Sequence, residues 1–400
     1  MNGTGKRTII SSALVIIAIC LLLPIYNAPV WWVSLEAPNY PKESFPDGVK
    51  ILFHFNGVFS GCELPDSEEV TENEVLDCVH EMDTINHYVG MYPIAAGGPL
   101  ELFFSLFLVA MVVVMLVAFL VRRTLARILV MAVGFTAVVA WMALAYYGEG
   151  GLRFHSARYL EGRVTSLGED ASDDAEAEPL SPGEAMIARL KASLAESDAA
   201  VDTEVDTGVD TDVEQAEKIG EKAKSITTLQ KAFEEDRTRQ GTSGQTWQGN
   251  GSQLLTWHYE RSLGRYFRDQ DVLGPMVAGM VRAGNLLFGG ILLIMVLLLV
   301  TARKPQGLFN NLLLLAPAGL PLYFVIEYSA WLWWYGHNMN EMGAFTLKAF
   351  MPTVFGQGKV AQFTTNSYPA YGFWLMVFFA ALLVAAVLLR REPLSDEDDE

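Results

Sequence analysis

The residues best suited to chemistry in this chain are its histidines and the methionines beside them. All six histidines lie outside the apolar segments, and two runs stand out, His80 to Met91 (HEMDTINHYVGM) and His337 to Met342 (HNMNEM). Imidazole binds copper, zinc, iron and nickel, whereas thioether sulfur selects copper, particularly Cu(I). Histidine and methionine side chains close together therefore indicate a copper site.

The first run would place its candidate ligands on one helical face. Positions i, i+3, i+7 and i+11 of a helix form a continuous stripe, and here they are His80, Asp83, His87 and Met91. In that arrangement Asp83 would orient the His87 ring through a hydrogen bond. The alternative is that the apolar residues of the run pack a small domain whose surface the histidines cover, since this spacing is not diagnostic in the way that H-E-x-x-H is.

The second candidate ligand set is His337, Met339 and Met342, which directly follows an apolar segment. Arg282 and Glu327 lie inside apolar segments, where a charge is costly and usually has a partner. The simpler hypothesis is an ion pair between the two. The alternative is that Glu327 relays protons or ions below the His337 and Met339 cluster.

Two cysteines, Cys62 and Cys78, lie outside the apolar segments, and the third, Cys20, lies inside the first one. Cys62 and Cys78 are expected to share an oxidising compartment, where a disulfide closing about 16 residues would contribute roughly 3 kcal/mol. We therefore predict a disulfide between them, with a thiol metal site as the alternative.

The composition is that of a membrane protein. Of 400 residues 51% are hydrophobic and only 18% are charged, against about 25% in soluble domains. The net charge of −18 lies mainly in residues 169–214, with 15 acidic and 2 basic side chains, and in the last nine residues, with 6 acidic ones. The remaining residues are nearly neutral. No basic surplus exists to neutralise phosphates, which excludes a nucleic-acid-binding protein.

Six apolar segments are each long enough to cross about 30 Å of hydrocarbon. Basic residues flank them on one side only, which predicts that both termini are cytoplasmic. The predicted fold class is an α-helical polytopic membrane protein with six transmembrane helices, a small α+β extracytoplasmic domain between the first two, and a long, partly disordered acidic loop between the third and fourth. The spans are placed near Ile9 to Tyr26, Leu102 to Val121, Ile128 to Tyr147, Met276 to Thr301, Leu308 to Trp334 and Tyr371 to Leu389.

The domain organisation follows from these spans. The stretch Val49 to Ser60 alternates around Asn56-Gly57, a strong β-hairpin signal, whereas Val-Asp-Thr repeats in the acidic loop cannot bury a core. The predicted regions are an anchor span in 1–26, an extracytoplasmic domain in 27–100, spans two and three in 101–147, the acidic extracytoplasmic loop in 148–275 with low complexity at about 169–214, spans four and five in 276–334, another outward loop in 335–370, span six in 371–389 and an acidic cytoplasmic tail in 390–400.

Two motifs resemble those of a known group of proteins. They are LEAPNYP at Leu35 to Pro41, and DTINHYVGM at Asp83 to Met91 followed by Pro93-Ile94. These resemble bacterial membrane proteins encoded beside nitrous oxide reductase and its copper-maturation factors, whose pattern is approximately L-x-A-P-x-Y-P and I-N-x-x-N-H-Y-I-G-M-x-P-I. The resemblance covers about residues 30–100 and the adjoining spans. The segment before His87 is shorter here and adds His80 and Met82.

The resemblance implies a role in assembling, supplying copper to, or delivering electrons to a periplasmic copper enzyme. The leading hypothesis is an accessory protein of the bacterial inner membrane, with copper as its cofactor and with the lipid bilayer and a periplasmic copper enzyme or copper chaperone as its partners. One alternative is a subunit of a membrane copper oxidoreductase or a quinone-linked electron-transfer complex. Another is a structural membrane scaffold without metal.

Overall fold

The computed structural model describes residues 3–40, 42, 45–62, 78–92, 98–176, 210–241, 245–264, 270–302, 306–341, 343–344, 347–360 and 362–390. The chain divides into two compact units, one of residues 1–154 with 248–400 and one of residues 155–247. The acidic tail and residues 177–209 of the acidic loop lie outside the described residues, so the predictions for them are not addressed by the structure.

The described part is mainly helical. A short 3-10 helix at Gly151–Phe154 follows the fourth α-helix. The α-helices in chain order are α1 Gly3–Asn27, α2 Cys78–Val89, α3 Pro99–Leu120, α4 Thr124–Tyr147, α5 Ala157–Glu176, α6 Asp210–Arg239, α7 Gly251–Gly264, α8 Gln270–Thr301, α9 Gln306–Ala318, α10 Leu320–His337 and α11 Tyr371–Arg390.

Several helices could cross a membrane. Helices α9 and α10 qualify only as a pair, bent by 43°, which makes them a broken span or a re-entrant loop. By length and composition, the described residues thus offer five candidate spans, or six if the bent pair counts as one, which is compatible with the predicted polytopic membrane protein. The continuous segments among the described residues are Lys6–Asn27, Pro99–Leu120, Thr124–Tyr147, Leu273–Thr301 and Tyr371–Leu389.

The bend between α9 and α10 has a local cause. Pro317 lies at the end of α9, Gly319 precedes α10, and Pro321 occupies the first turn of α10. Proline removes a backbone donor and clashes with the preceding turn, but it is well tolerated in the first turn of a new helix. The chain therefore ends one helix and starts another within the predicted fifth span.

A five-stranded antiparallel sheet lies at one end of the helices. Its strand order is β3-β2-β1-β5-β4, and the central strand β1 pairs with both β2 and β5. Two of the five strands thus come from the segment 335–370, so residues 27–100 do not form the sheet alone as the sequence analysis expected. The strands are β1 Trp31–Glu36, β2 Val49–His54, β3 Gly57–Ser60, β4 Gly356–Val360 and β5 Phe363–Pro369. We call the five strands and α2 together the sheet module.

The predicted hairpin between β2 and β3 is present, with its turn displaced by one residue. His54 pairs with Gly57, so Phe55 and Asn56 form the two-residue turn. Tight two-residue turns are the usual connection of antiparallel neighbours.

One face of the sheet carries the apolar side chains that alternate along its strands. Towards one end of the sheet this face packs on α2, and towards the other end it packs on α10. The α2 contact buries Leu35, Val49, Ile51, Cys78, Val79, Met82 and Ile85. The α10 contact buries Trp31, Tyr328 and Leu332. Burying this apolar face on two helices positions the sheet module against the helical bundle.

The second compact unit contains two helices that pack on each other. Leu160 and Leu167 of α5, and Leu229 and Phe233 of α6, are buried. Phe233 also contacts Trp247, with 5.3 Å between ring centroids. This buried apolar contact stabilises the helix pair through tertiary packing, which contributes more than helix propensity does.

Candidate functional site

The motif NHYVGM forms the end of α2, and it ends the helix by a defined cap. The Gly90 N–H donates to the His87 carbonyl at 2.9 Å and the Met91 N–H to the Asn86 carbonyl at 2.8 Å. Gly90 has a φ of +81°, the left-handed conformation that such a Schellman cap requires. The predicted helix is therefore present, but it ends at Val89, and Met91 does not extend the stripe of His80, Asp83 and His87.

The cap turns Met91 into a buried cluster. Met91 is packed with Val89 and Tyr335, and Met339 lies against the same cluster. Methionine is adaptable and makes favourable contacts with aromatic rings. The structure thus brings together one methionine from each of the two runs that the sequence analysis selected.

Backbone contacts join the two runs along their length. The Asn340 N–H donates to the Gly90 carbonyl at 2.7 Å, and the Ala344 N–H donates to the Tyr88 carbonyl at 2.9 Å. A side chain at Gly343 would lie 2.7 Å from the Gly90 nitrogen. Glycine at both positions is therefore required by close approach of the two backbones.

The remaining stripe residues on α2 are half-buried. His80, Asp83 and His87 lie on the face of α2 that differs from the buried face of Met82 and Ile85. Asp83 lies within electrostatic range of Tyr335 on α10. This contact links the stripe to the end of the helical bundle.

Tyr40, which belongs to the LEAPNYP motif, is anchored on α2. Its hydroxyl donates to Glu81 Oε2 at 2.8 Å. Burial, together with the hydrogen bond to the Glu81 carboxylate, raises the pKa of the Tyr40 phenol above its usual range. Tyr40 of the first motif is therefore anchored on the helix that carries the second, by a phenol that donates to a carboxylate, which is a strong hydrogen bond.

The second predicted ligand set is only partly described. His337 is exposed, its ring stacks on Trp333 with 4.5 Å between centroids, and its Nδ1 lies 2.8 Å from the Trp333 carbonyl oxygen. Met342 lies outside the described residues. Within the described part of the chain, no group of three or more histidine, cysteine, aspartate or glutamate side chains is placed to hold a metal ion.

A disulfide joins Cys62 and Cys78, with 6.1 Å between their Cα atoms. It connects the segment after β3 to the first residue of α2. The helix that carries the stripe is thereby attached covalently to the sheet it packs on. Cys20 is a free cysteine on α1.

The expected ion pair is replaced by a different arrangement. Arg282 is exposed on α8, whereas the groups that act on Glu327 are the Glu101 carboxylate and the Trp331 side chain. Trp331 is within hydrogen-bonding range of both carboxylates. The sequence analysis missed Glu101. Its signal is an acidic residue two positions after Pro99 and one position before the predicted start of the second span.

Tyrosines surround the junction between the sheet module and the helices. Tyr335 lies within electrostatic range of Asp83, Tyr259, Glu101 and Glu327. Burial raises the pKa of Tyr92 and, together with the nearby Tyr92, that of Tyr259. These phenols stay neutral at physiological pH and can donate hydrogen bonds. They form a polar layer between the α2 stripe and the two carboxylates.

The fold is that of a mainly helical protein. Several of its helices are apolar enough to cross a membrane, and the sheet module lies at one end of them. A comparison with protein families, curated proteins and solved structures finds no match for this chain.

Proposed function

We propose that this chain is an accessory protein of the bacterial inner membrane that serves a periplasmic copper enzyme of the nitrous oxide reductase type. It handles copper, or docks a copper protein, through the sheet module. Both termini face the cytoplasm and the sheet module faces the periplasm. The apolar helices support the membrane location, and the basic residues that flank the apolar segments on one side only support the orientation.

The observation that carries the proposal is the meeting of the two histidine and methionine runs. Met91 and Met339 pack in one cluster although 248 positions separate them in the chain. Thioether sulfur prefers Cu(I) and binds without losing a proton. The two sulfur atoms are therefore the ligands we assign first, with His87 directly before the cap of α2 as the nearest imidazole candidate.

The resemblance to proteins encoded beside nitrous oxide reductase supports the choice of partner. Tyr40 of one shared motif contacts Glu81, two residues before the start of the other at Asp83. The first motif is thus anchored on the helix that carries the second. The exposed and half-buried residues of the two motifs are the ones we assign to contact with a periplasmic protein.

A Cu(I) competition titration on the full-length protein in detergent tests copper handling. The full chain is required because β4 and β5 complete the sheet. We expect Met91→Leu, Met339→Leu and His87→Ala each to weaken Cu(I) binding at least about tenfold, roughly 1.4 kcal/mol. Met351→Leu is the matched control, because Met351 is 46% exposed in the same segment of the chain, and its affinity should equal that of the native protein.

Docking is tested by binding of purified nitrous oxide reductase to the same detergent-solubilised chain. If Cu(I) affinity is equal in all five proteins and the enzyme does not bind, the proposal fails. The chain would then be a structural scaffold, in which the NHYVGM motif only caps α2.

A further inference from the structure

A cavity of about 110 Å³ lies beneath the turn of the β2–β3 hairpin, between the facing ends of α3 and α10. Phe55 of the turn lies over it, and Phe324, Tyr328 and Trp331 of α10 form an aromatic wall. Flat aromatic side chains on two sides favour a flat aromatic occupant, because offset or edge-on ring contacts add to the burial of area.

The acidic groups of this cavity are two carboxylates, and His54, Tyr328 and Tyr335 also line it. Glu101 of α3 and Glu327 of α10 lie within electrostatic range of each other. Among the described residues, Glu101 Oε2 is buried and has no hydrogen-bond partner. An occupant that donates a hydrogen bond to this oxygen would satisfy it, since a buried acceptor left unpaired is costly.

An apolar groove of about 720 Å³ continues from the same two carboxylates. Its walls belong to α1, α3, α8, α9 and α10, and along α3 it extends from Glu101 to Met115. Fourteen residues of helix correspond to about 21 Å, so the groove follows most of the length of α3. Its volume lies in the range of about 300 to 1,000 Å³ that is typical of ligand sites.

We propose that the cavity and groove bind a quinol, a lipid with a dihydroxylated aromatic ring and an isoprenoid tail. The ring lies among Phe55, Phe324 and Trp331, and its two O–H groups donate to Glu101 and Glu327. The tail lies in the groove along α3. Glu101 Oε2 is a buried acceptor without a partner among the described residues, so the reduced ring, which carries two donors, is bound in preference to the quinone, which carries two acceptors.

Charge disfavours anionic lipids. A fatty acid or a phosphate headgroup would bury a further anion beside Glu101 and Glu327, and no lysine or arginine of the described residues lines the cavity to pair with it, which is costly in a medium of low dielectric constant. The ammonium of an ethanolamine headgroup would instead be attracted by a carboxylate, so phosphatidylethanolamine is the competing occupant that the test includes. The quinol head is neutral and supplies donors.

The test is a binding titration of the full-length protein in lipid nanodiscs under anaerobic conditions, read out by quenching of tryptophan fluorescence. The probes are a benzoquinol with a decyl tail, the corresponding quinone, and a tetramethyl benzoquinol without a tail. We expect saturable binding of the decyl quinol, at least about tenfold weaker binding of the quinone, and weaker binding of the tailless ring.

Carboxamide variants locate the site. Glu101→Gln and Glu327→Gln should each weaken decyl quinol binding at least about tenfold, because each replaces one oxygen of the carboxyl group by an NH2 group, which only donates. Glu149→Gln is the matched control, since Glu149 is exposed in the loop after α4, and it should bind as the native protein does.

A groove variant makes the test independent of the carboxylates. Val112→Trp fills the wall of the groove on α3, and it should reduce the affinity for the decyl quinol to that for the tailless ring while leaving the latter unchanged. Absence of saturable quinol binding, equal affinity in the native and both Glu→Gln proteins, or displacement of the quinol by phosphatidylethanolamine would each overturn the proposal.

Discussion

At the scale of single residues, Gly90 explains much of the NHYVGM motif. It ends α2 with a φ of +81°, and a Cβ atom there would lie 2.8 Å from the Asn340 carbonyl oxygen. The glycine thus has one role in the helix cap and a second in the contact between the two histidine and methionine runs. Gly90 therefore has a structural role in the motif that does not depend on metal binding.

Replacing Gly90 by Ala should destabilise the protein by about 1–3 kcal/mol from the positive φ, and further through the clash with Asn340. The measurement is the thermal unfolding midpoint of the full chain in detergent. Gly356→Ala is the control, because Gly356 has a φ of +90° but nothing within 4 Å of its added Cβ. If both variants lose equal stability, close approach to Asn340 has no energetic role.

At the scale of secondary-structure elements, Ser367 on β5 joins the sheet to the helices. Its side chain is fully buried. The Trp31 indole N–H donates to Ser367 Oγ at 2.8 Å, and that hydroxyl donates to the Val354 carbonyl at 2.8 Å. The Tyr328 hydroxyl of α10 lies 3.4 Å from the same oxygen. One hydroxyl therefore connects two strands, a loop and a helix.

Ser367→Ala should lower stability by about 1–3 kcal/mol, because the buried Trp31 N–H loses its acceptor. The thermal midpoint in detergent measures this loss. Ser329→Ala is the matched control, since the Ser329 hydroxyl donates only to the Val325 carbonyl of its own helix, and its midpoint should stay close to that of the native protein. Equal midpoints for all three proteins would contradict the role assigned to Ser367.

At the scale of the whole molecule, the sheet restricts how the chain can be inserted. Strands β1 and β5 pair over six positions, so the segment after α1 and the segment between α10 and α11 lie on the same side of the helices. The 3-10 helix after α4 and the segment before α7 are joined as well, since the Leu152 N–H donates to the Gly249 carbonyl at 2.9 Å. Both contacts join segments that the predicted topology places on the same side of the membrane.

Labelling with a membrane-impermeant maleimide tests the proposed orientation. Lys359 on β4 and Arg123 between α3 and α4 are both exposed. In a Cys20→Ala background, Lys359→Cys should react once the outer membrane of the cells is permeabilised, whereas Arg123→Cys should react only after the inner membrane is also disrupted. The reverse pattern would place the sheet module in the cytoplasm and remove the periplasmic partner.

The sequence by itself determined the features that depend on neighbouring residues. Apolar length predicted the spans, alternation predicted the β2–β3 hairpin, and the helical stripe predicted α2, although its cap at Gly90 ended the stripe before Met91. The fifth apolar segment also contains Pro317 and Pro321, and the structure interrupts the helix beside them. Each of these follows from local backbone geometry and local hydrophobicity, which a short window of sequence contains.

Only the tertiary structure decided which distant segments meet. Alternation in β1 shows that one face is buried, but both edges of a strand offer the same backbone groups, so nothing local selects β5 as the second neighbour. The neighbours of a charged residue inside a helix also depend on tertiary structure. The opposite charges of Arg282 and Glu327 inside apolar segments suggested an ion pair, whereas helix packing places Glu101 within electrostatic range of Glu327. Which distant residues and strands become neighbours is decided by the packing of whole helices and strands. The chemistry of the individual side chains does not specify that packing.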